Sequence, residues 1–322
     1  MHILKRWAVF ISERFEPVSH TLMIASFFGA NAIMALIINN STAVCSSPQS
    51  LCCHLRILGG FFLVWLIFFH MRLFDDIKDY ETDKLVNQER PLPRGVLTTL
   101  EFGAGILSVV ILEVVLAASL GIKVFSTYAV VFAFTLVMRQ EFFIGDWLRP
   151  KMELYAITHT FSACLMGCLI FSAVTDNFIN AMPWQYLAIA IGNWFVFNVF
   201  EFGRKTFAKN EEREGVDSYS MRLSPGGAVI LLGINVFMAF SMLYLCCVNL
   251  SWPDGHVQQP GIGIFGNMLV SAAVISFVVA ISGMLYSFNP SKFYAKFYRG
   301  AVSAYLVLYH VAILITGYLI IN

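Results

Sequence analysis

Nine long apolar segments, separated by short polar connections, dominate this chain of 322 residues. A helix that crosses a lipid bilayer needs about 20 consecutive, mostly apolar residues. The segments that meet or approach this requirement are Leu22–Ile38, Leu55–Phe74, Leu97–Leu120, Val124–Met138, Leu154–Val174, Trp184–Phe202, Ala228–Val248, Ile262–Leu285 and Ala301–Ile321. We therefore predict an all-α integral membrane protein in which residues 1–322 form one polytopic domain with nine transmembrane helices.

The composition excludes the main competing classes of protein. Hydrophobic residues make up 58% of the chain and charged residues 13%, whereas a soluble domain carries about 25% charged residues. A water-soluble protein of this length could not bury so much apolar surface, and a disordered chain would not contain it. The formal net charge of +1 provides no bulk electrostatic attraction for nucleic acid.

The charged residues are distributed unevenly between the two sides of the predicted membrane domain. The N-terminus and the connections after spans two, four, six and eight hold 19 of the 21 basic residues. Positively charged loops mark the cytoplasmic side, so we predict a cytoplasmic N-terminus and a C-terminus on the opposite side. Seventeen of the 20 acidic residues lie on the same predicted side, and the exceptions are Glu113, Asp176 and Asp254. Acids and bases gathered at one face indicate a polar site there.

The end of predicted span two carries an acidic stripe. Asp76, Asp79 and Asp83 follow the spacing i, i+3, i+7, which places all three carboxylates on one helix face, with Asp75 at its edge. Three neighbouring carboxylates repel one another unless a cation neutralises them. Mg²⁺ prefers hard oxygen ligands and usually binds through one or two carboxylates together with substrate phosphates. A magnesium site is favoured over the simpler alternative, a solvated acidic helix end.

A basic, proline-rich run follows this stripe, with the sequence Arg-Pro-Leu-Pro-Arg-Gly from Arg90 to Gly95. The prolines stop the helix, and the run holds Arg90 and Arg94 near the acids. Together with Arg72, one turn before the stripe, they can recognise a phosphate group, because the guanidinium fork matches phosphate geometry. The alternative is a basic anchor between two spans, and both interpretations can hold together.

The end of predicted span six carries a second charged segment. Asn198, Glu201 and Lys205 share one helix face, and Glu201 can pair with Lys205 one turn later. Ionisable residues at the end of a span usually face a polar cavity and indicate function. The alternative is an interfacial ion pair with basic side chains that reach toward the aqueous surface.

The stretch from Asp75 to Gly95 resembles the UbiA superfamily of intramembrane prenyltransferases. That family's first motif reads Asn-Asp-x-x-Asp-x-x-x-Asp and is closely followed by Arg-Pro-Leu-x-x-Gly. In this chain Asp75 stands at the Asn position, and Asp76, Asp79 and Asp83 stand at the three Asp positions. The basic run supplies the rest of the pattern with Arg90, Pro91, Leu92 and Gly95. The predicted number of spans and the predicted cytoplasmic site also fit this family.

The resemblance implies nine helices around a central cavity that opens sideways to lipid. Two acidic motifs, after spans two and six, would face each other across it and hold Mg²⁺ and the diphosphate of an isoprenyl diphosphate. Departure of the diphosphate leaves an allylic carbocation, which an acceptor, usually an aromatic ring, then attacks. The expected partners are thus a prenyl diphosphate, a hydrophobic acceptor or none, and the lipid bilayer.

The second motif departs from the family pattern. The family has an Asp-rich run after span six, followed by Gly-x-x-Ser. Here Gly215 and Ser218 match that tail and Glu211 stands where an Asp is usual, while Glu201 and Arg204 occupy the region of the missing acids. The reduced set of carboxylates implies an altered metal count and leaves an ordinary aromatic acceptor in question.

The residues and the resemblance together define a predicted site with four roles. The predicted catalytic residues are Asp76, Asp79, Asp83, Glu201 and Lys205. The predicted diphosphate-binding residues are Arg72, Arg90, Arg94, Arg204 and Lys205. The predicted metal ligands are Asp75, Asp76, Asp79, Asp83, Glu211, Glu214 and Asp217. Asn198 and Tyr219 are predicted to line the substrate cavity.

Several alternatives stay open at this point. A terpene cyclase on the same fold would use the same diphosphate site without an acceptor. A transporter would place its charges near the bilayer midplane, with broken helices, and a catalytically inactive scaffold would tolerate loss of the acids. Lone histidines within spans (His70, His159 and His310) are interpreted as packed hydrogen-bonding residues, and Cys45 with Cys52 or Cys53 permits a disulfide on the far side.

Overall fold

The computed structural model of the chain describes residues 2–39, 51–212, 215, 217–250 and 262–321, with the side chains of 51–53 and 262–264 left aside. Within these residues nine helices are long and apolar enough to cross a membrane, which confirms the predicted number. The possible disulfide of Cys45 lies outside the described residues and side chains.

Most helices extend the predicted apolar cores, whereas the helix of the third span, Thr99–Ser119, is slightly shorter than its predicted core. The helices are α1 (Ile3–Phe10), α2 (Pro17–Ile38), α3 (Leu51–Lys78), α4 (Tyr80–Val86), α5 (Thr99–Ser119), α6 (Ile122–Arg139), α7 (Gly145–Leu148), α8 (Met152–Thr160), α9 (Ser162–Thr175), α10 (Trp184–Arg204), α11 (Tyr219–Val248), α12 (Ile262–Phe288) and α13 (Lys292–Ile321). Short irregular turns are a π-helical turn at Ile11–Phe15 and 3₁₀ turns at Glu141–Phe143 and Ile179–Ala181. The membrane-crossing helices are α2, α3, α5, α6, the pair α8 and α9, and α10 to α13.

The spans form a closed ring in chain order. Each span packs on the next along the sequence, and the ring closes where α13 packs on α2. Short connections favour this arrangement, because consecutive helices then lie antiparallel and adjacent. Further contacts of α10 with α2 and α13, and of α9 with α2 and α3, fill the interior of the ring. The two charged segments lie together at one end of this ring.

Helix α9 is the most deeply buried span. Its sequence, Ser-Ala-Cys-Leu-Met-Gly-Cys-Leu-Ile-Phe-Ser-Ala-Val-Thr, is buried at every position except Leu165. Small residues let neighbouring backbones approach closely in a membrane, where apolar side chains gain nothing by leaving lipid. Cys164 and Cys168, which share a face of this helix, are buried free thiols and pack as small side chains.

Charged residues that break the one-sided distribution find partners within the bundle. Arg56 and Lys123 both pair with Asp176, at 2.6 Å (Nη2 to Oδ1) and 3.3 Å (Nζ to Oδ2). Glu113 on α5 lies 2.7 Å from Nδ1 of His70 on α3, and both side chains are fully buried. Unpaired charges are costly inside a membrane, so these contacts explain how the exceptions are tolerated.

Candidate active site

The acidic stripe of the first motif lies on a nearly continuous helix. Helix α3 ends at Lys78, and α4 begins two residues later. The backbone N–H of Asp79 donates to the carbonyl of Asp75 (2.9 Å), and that of Asp83 donates to the carbonyl of Asp79 (2.8 Å). The helical hydrogen-bond pattern thus passes through the bend at Asp79, and the carboxylates keep the common side that their spacing predicts.

Asp76 is buried and holds two arginines. Its Oδ1 lies 2.8 Å from Nε and 2.7 Å from Nη2 of Arg14, and its Oδ2 lies 3.2 Å from Nε of Arg72. Only 4% of Asp76 is exposed. The hydrogen bond from Nε of Arg14 fixes the orientation of this arginine, because charge-assisted hydrogen bonds are strong and directional. Among the described residues, the Arg72 contact is an ion pair without hydrogen-bond geometry.

Asp83 is also buried and holds a third arginine. Nη1 of Arg90 donates to both carboxylate oxygens of Asp83, at 2.7 and 2.6 Å, and Nδ2 of Asn87 donates to Oδ1 at 2.9 Å. The basic run therefore folds back onto the stripe, as predicted for Arg90. Arg94 lies apart at the surface, where it donates to Glu13 (2.7 Å).

Asp75 and Asp79 make no ion pair with an arginine among the described residues. The Asp75 side chain is 49% exposed, and its Oδ1 lies 3.7 Å from Nζ of Lys78. Burial raises the pKa of the Asp79 carboxyl, Lys78 opposes this shift, and the neighbouring Asp83 charge adds to it. These are the two carboxylates of the motif that can accept a further cation.

The donor set fits magnesium through these two acids. In the described part of the chain no three His, Cys, Asp or Glu side chains come together as a ready metal site. Mg²⁺ does not need such a cluster, since it usually takes one or two carboxylates and completes its shell with waters and substrate phosphates. Asp75 and Asp79, one helical turn apart, supply that number of hard oxygen ligands. Asp76 and Asp83, also predicted as ligands, form ion pairs with arginines in this structure, and their assignment as ligands stays a prediction.

The N-terminal segment completes the site with a residue that the sequence analysis missed. Arg14 belongs to the π-helical turn Ile11–Phe15, which ends at Glu16 in a left-handed conformation (φ 46°) before α2 begins. The ring of Phe15 packs edge-on against both Trp65 and Phe69 on α3, with centroid distances of 5.0 and 5.1 Å. These contacts fix the turn over α3 and bring Arg14 to Asp76. Its distance along the chain from the acidic stripe hid this relation.

The second motif presents an internally paired cluster. Glu201 forms ion pairs with both Arg204 and Lys205, and its Oε1 lies 2.8 Å from Nζ of Lys205. The predicted Glu201–Lys205 pair is thus present. The Arg204 guanidinium also lies close enough to Asp75 for an electrostatic interaction. The charged ends of α3 and α10 therefore face each other across the site.

Asn198 and Tyr219 lie in the buried framework behind this cluster. Nδ2 of Asn198 donates to Oδ1 of Asn235 at 3.0 Å, and Thr160 donates to the Asn198 carbonyl. The Tyr219 hydroxyl donates to the carbonyl of Met152 at 3.3 Å. These bonds tie α8, α10 and α11 together, so both residues hold the wall of the site in place.

The loop after α10 uses its acids for structural contacts. Glu211 accepts from both terminal nitrogens of Arg299 on α13, at 3.0 and 2.8 Å, and Arg299 lowers the pKa of the Glu211 carboxyl through these hydrogen bonds. Glu212 accepts from Ser218 and Ser220, each at 2.7 Å. Asp217 is exposed, and Glu214 lies outside the described residues.

Span five adds polar aromatic groups that the sequence analysis did not assign to the site. Nζ of Lys78 donates to the hydroxyl of Tyr155 at 3.0 Å. The ring of His159 stacks on Tyr155 with a centroid distance of 3.9 Å, and its Nδ1–H donates to the Tyr155 carbonyl at 2.7 Å. Nε2 of His159 is buried and has no hydrogen-bond partner in the part of the chain that the structure describes. The i, i+4 spacing of Tyr155 and His159 was the available signal.

Two solved structures share this arrangement of helices. A structure of digeranylgeranylglyceryl phosphate synthase matches with a TM-score of 0.63 and 16% sequence identity, over 98% of this chain and 99% of its own length. An apo structure of a UbiA homologue from Aeropyrum pernix K1 matches with a TM-score of 0.60 and 15% identity, over 92% and 97%. No family model and no curated protein sequence matches the chain.

The fold is that of the UbiA-type intramembrane proteins. The likeness to both structures extends over nearly the whole chain, and it confirms at the level of the fold the resemblance inferred from Asp75 to Gly95. At these identities the likeness carries no residue roles. The chemistry of the site therefore has to be argued from its own side chains.

Proposed function

We propose that the protein is an intramembrane prenyltransferase, which ionises a prenyl diphosphate and passes the prenyl group to a hydrophobic acceptor, aromatic or lipidic. The observation that carries this proposal is a set of three arginines paired with buried acids, beside two carboxylates that have no arginine partner among the described residues. Such a site is suited to a polyanion that arrives with a divalent cation. Its position at the ends of two spans places the apolar part of the substrate in the membrane domain.

Arg14, Arg72 and Arg90 are the groups that bind the diphosphate in this proposal. Asp76 and Asp83 orient them before substrate arrives, so the site loses little entropy on binding. The three guanidinium groups also repel one another, and an anion between them relieves this repulsion. Arg204 and Lys205 extend the cationic surface from the α10 side, where Glu201 keeps both in place.

Asp75 and Asp79 are the residues that would hold Mg²⁺. When bound, the ion supplies positive charge that stabilises the departing diphosphate. The elevated pKa of Asp79 reflects a carboxylate without adequate compensation, as expected of a ligand whose cation is bound only with substrate. Magnesium dependence follows as a prediction of the proposal.

After the diphosphate has left, the protein must protect the prenyl cation until the acceptor reacts. Water would quench it, so in this proposal aromatic side chains of the surrounding helices line the site and exclude water. Their faces stabilise a desolvated cation by about 0.5–2 kcal/mol each. The acceptor then forms a bond to the prenyl carbon and releases a proton.

A terpene cyclase is the second candidate function, and the observation that favours it comes from the second motif. Glu201, Glu211 and Glu212 are all engaged in contacts within the protein. A site with one metal-binding motif departs from the paired arrangement that the family resemblance implies. In a cyclase the cation is attacked by a double bond of the same molecule, so no acceptor is needed.

Product analysis by mass spectrometry tests both candidates. The full-length protein in lipid nanodiscs receives Mg²⁺ and prenyl diphosphates of ten, fifteen or twenty carbons, with and without a membrane-lipid extract. A product that appears only with the extract supports the transferase, and its mass identifies the acceptor. A cyclic hydrocarbon formed without extract establishes the cyclase. If no donor releases diphosphate, with or without extract, both candidate functions are contradicted. Solute uptake by proteoliposomes would then support a transporter.

A further inference from the structure

The faces of α3 and α10 that carry the charged residues converge on a pair of phenylalanines. On α3, Phe68 shares a face with Arg72, Asp75 and Asp79, at the spacing i, i+4, i+7, i+11. On α10, Phe197 lies one turn deeper than Glu201 on the same face. Both phenylalanines therefore lie on the faces that carry the charged residues, at the inner end of the space that the proposed function assigns to the prenyl chain.

The two phenylalanines close this space. The rings of Phe68 and Phe197 are stacked with a centroid distance of 6.0 Å and an interplanar angle of 27°. Phe27 of α2 meets both of them edge-on, at 6.2 and 5.4 Å. Phe27 is fully buried, whereas the other two rings are partly accessible. We call these three residues the aromatic floor.

A buried polar network backs the aromatic floor. The ring of His310 on α13 packs edge-on against Phe27 at 5.4 Å, and its Nε2 lies 3.2 Å from Oδ1 of Asn193 on α10. Nδ2 of Asn193 in turn donates to Oδ1 of Asn31 on α2 at 2.8 Å. A hydrocarbon chain that passed beyond Phe27 would have to break these buried bonds, which are costly to leave unmade. The floor is thus a fixed end and not a flexible gate.

The depth of the space above the floor can be estimated along α3. At 1.5 Å per residue, Phe68 lies about 10 Å from Asp75 and about 16 Å from Asp79. An extended five-carbon prenyl unit contains four carbon–carbon bonds of roughly 1.5 Å and spans about 5 Å. Two or three units fill this depth, and a fourth does not fit in line.

We propose that Phe68 and Phe197 set the length of the prenyl donor, so that the site takes donors of ten or fifteen carbons in preference to twenty. This inference rests on the proposed function and specifies its substrate class. The fold alone does not imply this preference for short donors, because a protein of similar structure is named digeranylgeranylglyceryl phosphate synthase. The determinant is a pair of side chains from two helices, and smaller side chains should deepen the site.

The test separates binding from turnover. Binding is measured as thermal stabilisation of the full-length protein by thiolodiphosphate analogues of ten, fifteen and twenty carbons, which are not ionised. Turnover is measured as diphosphate release from the matching natural donors. The variants are Phe68→Leu, Phe197→Leu and the double variant, and Phe62→Leu, a lipid-facing position of the same helix that is 49% exposed, is the control.

The wild type and Phe62→Leu should bind the ten- or fifteen-carbon analogue more tightly than the twenty-carbon one by about tenfold or more. The double variant should reduce or invert this preference while keeping its affinity for the shorter analogues. Equal affinity of the wild type for all lengths, or an unchanged preference in a correctly folded double variant, overturns the inference. Failure of the proposed function looks different, since length-dependent binding would then occur without release of diphosphate from any donor.

Discussion

The two charged segments of this protein have the same position in the fold but use their acids in opposite ways. At the end of α3, the buried acids Asp76 and Asp83 hold arginines, and Asp75 and Asp79 have no arginine partner among the described residues. After α10, Glu201 is paired with its own neighbours, and Glu211 is bound to Arg299 of another helix. The first segment keeps two acids without an arginine partner among the described residues, whereas Glu201 and Glu211 of the second segment pair with basic side chains of the protein.

The contrast separates acids with an arginine partner from acids without one. A carboxylate bound to a guanidinium has most of its charge already satisfied. In the proposed function, Asp76 and Asp83 act through the arginines they contact, and Asp75 and Asp79 are the acids proposed to hold the cation. The asymmetry between the segments leads to a ranked set of expected effects.

The largest effect is expected at Asp79. Asp79→Asn removes a proposed magnesium ligand, and diphosphate release should fall by about 100-fold or more, as for the loss of other groups that stabilise developing charge. Release is measured with saturating Mg²⁺ and the preferred donor. Glu81→Gln, an exposed acid on the adjoining helix paired with Lys84, is the matched control. Equal activity of Asp79→Asn and the control would contradict the proposal that the first segment binds the cation through Asp79.

Arg14 should show the next largest effect. Arg14→Gln removes the guanidinium that Asp76 orients, and a lost charge-assisted hydrogen bond is worth about 1.5–3 kcal/mol. The measured quantity is kcat/KM for the donor, which should fall by about 10- to 100-fold. Arg94→Gln breaks only the surface pair with Glu13 and tests whether any nearby arginine would do. Similar losses of kcat/KM in both variants would contradict the prediction, because the contact of Arg14 with Asp76 would then have no specific effect on the donor.

Glu201 should have a smaller effect than Asp79. Glu201→Gln keeps the shape of the side chain and frees Arg204 and Lys205 from their shared partner, so kcat/KM should change by about tenfold or less. A loss as large as that of Asp79→Asn would indicate that the second segment also binds the cation. Titration of activity with Mg²⁺ distinguishes the cases, because only a lost ligand raises the concentration needed for half-maximal activity.

The smallest effect is expected at the pair of Glu211 and Arg299. Glu211→Gln should lower stability by about 1 kcal/mol, at the upper end of the range for ion pairs near a protein surface, with little change in kcat/KM. Because Arg299 lowers the pKa of Glu211, the charged pair contributes fully above pH 4.5, the ordinary value for Glu, and its contribution disappears as the pH falls through the lowered value. The melting temperatures of wild type and variant should therefore differ at pH 7 and converge once the pH falls below the lowered pKa of Glu211. A constant difference would show that Arg299 does not act through this charge.

Much of the fold could be predicted from the sequence, because the hydrophobic composition of a segment largely determines whether it forms a membrane-spanning helix. The length and apolar content of each segment determine whether it can span, and the nine predicted segments are all spanning helices among the described residues. The boundaries were less accurate where polar residues continue a helix beyond the bilayer, as in α11 and α13, which begin at Tyr219 and Lys292. Helical hydrogen bonds do not stop where hydropathy does.

The candidate site could be predicted only in part. The stripe from Asp75 to Asp83 follows from local spacing, and so does the pair of Glu201 and Lys205. The contact of Arg14 with Asp76 spans 62 positions, and the contact of Glu211 with Arg299 spans 88. No local pattern reports such contacts, because they depend on how separate helices pack.

By itself, the sequence determined the class of the protein, the number of its spans and the location of its charged segments, because hydropathy and helical periodicity act over short distances along the chain. Only the tertiary structure decided which acids hold arginines, which remain for a cation, and where Phe68 meets Phe197. Those outcomes depend on which side chains the closed ring of helices brings together, and charges and rings interact through space rather than along the sequence.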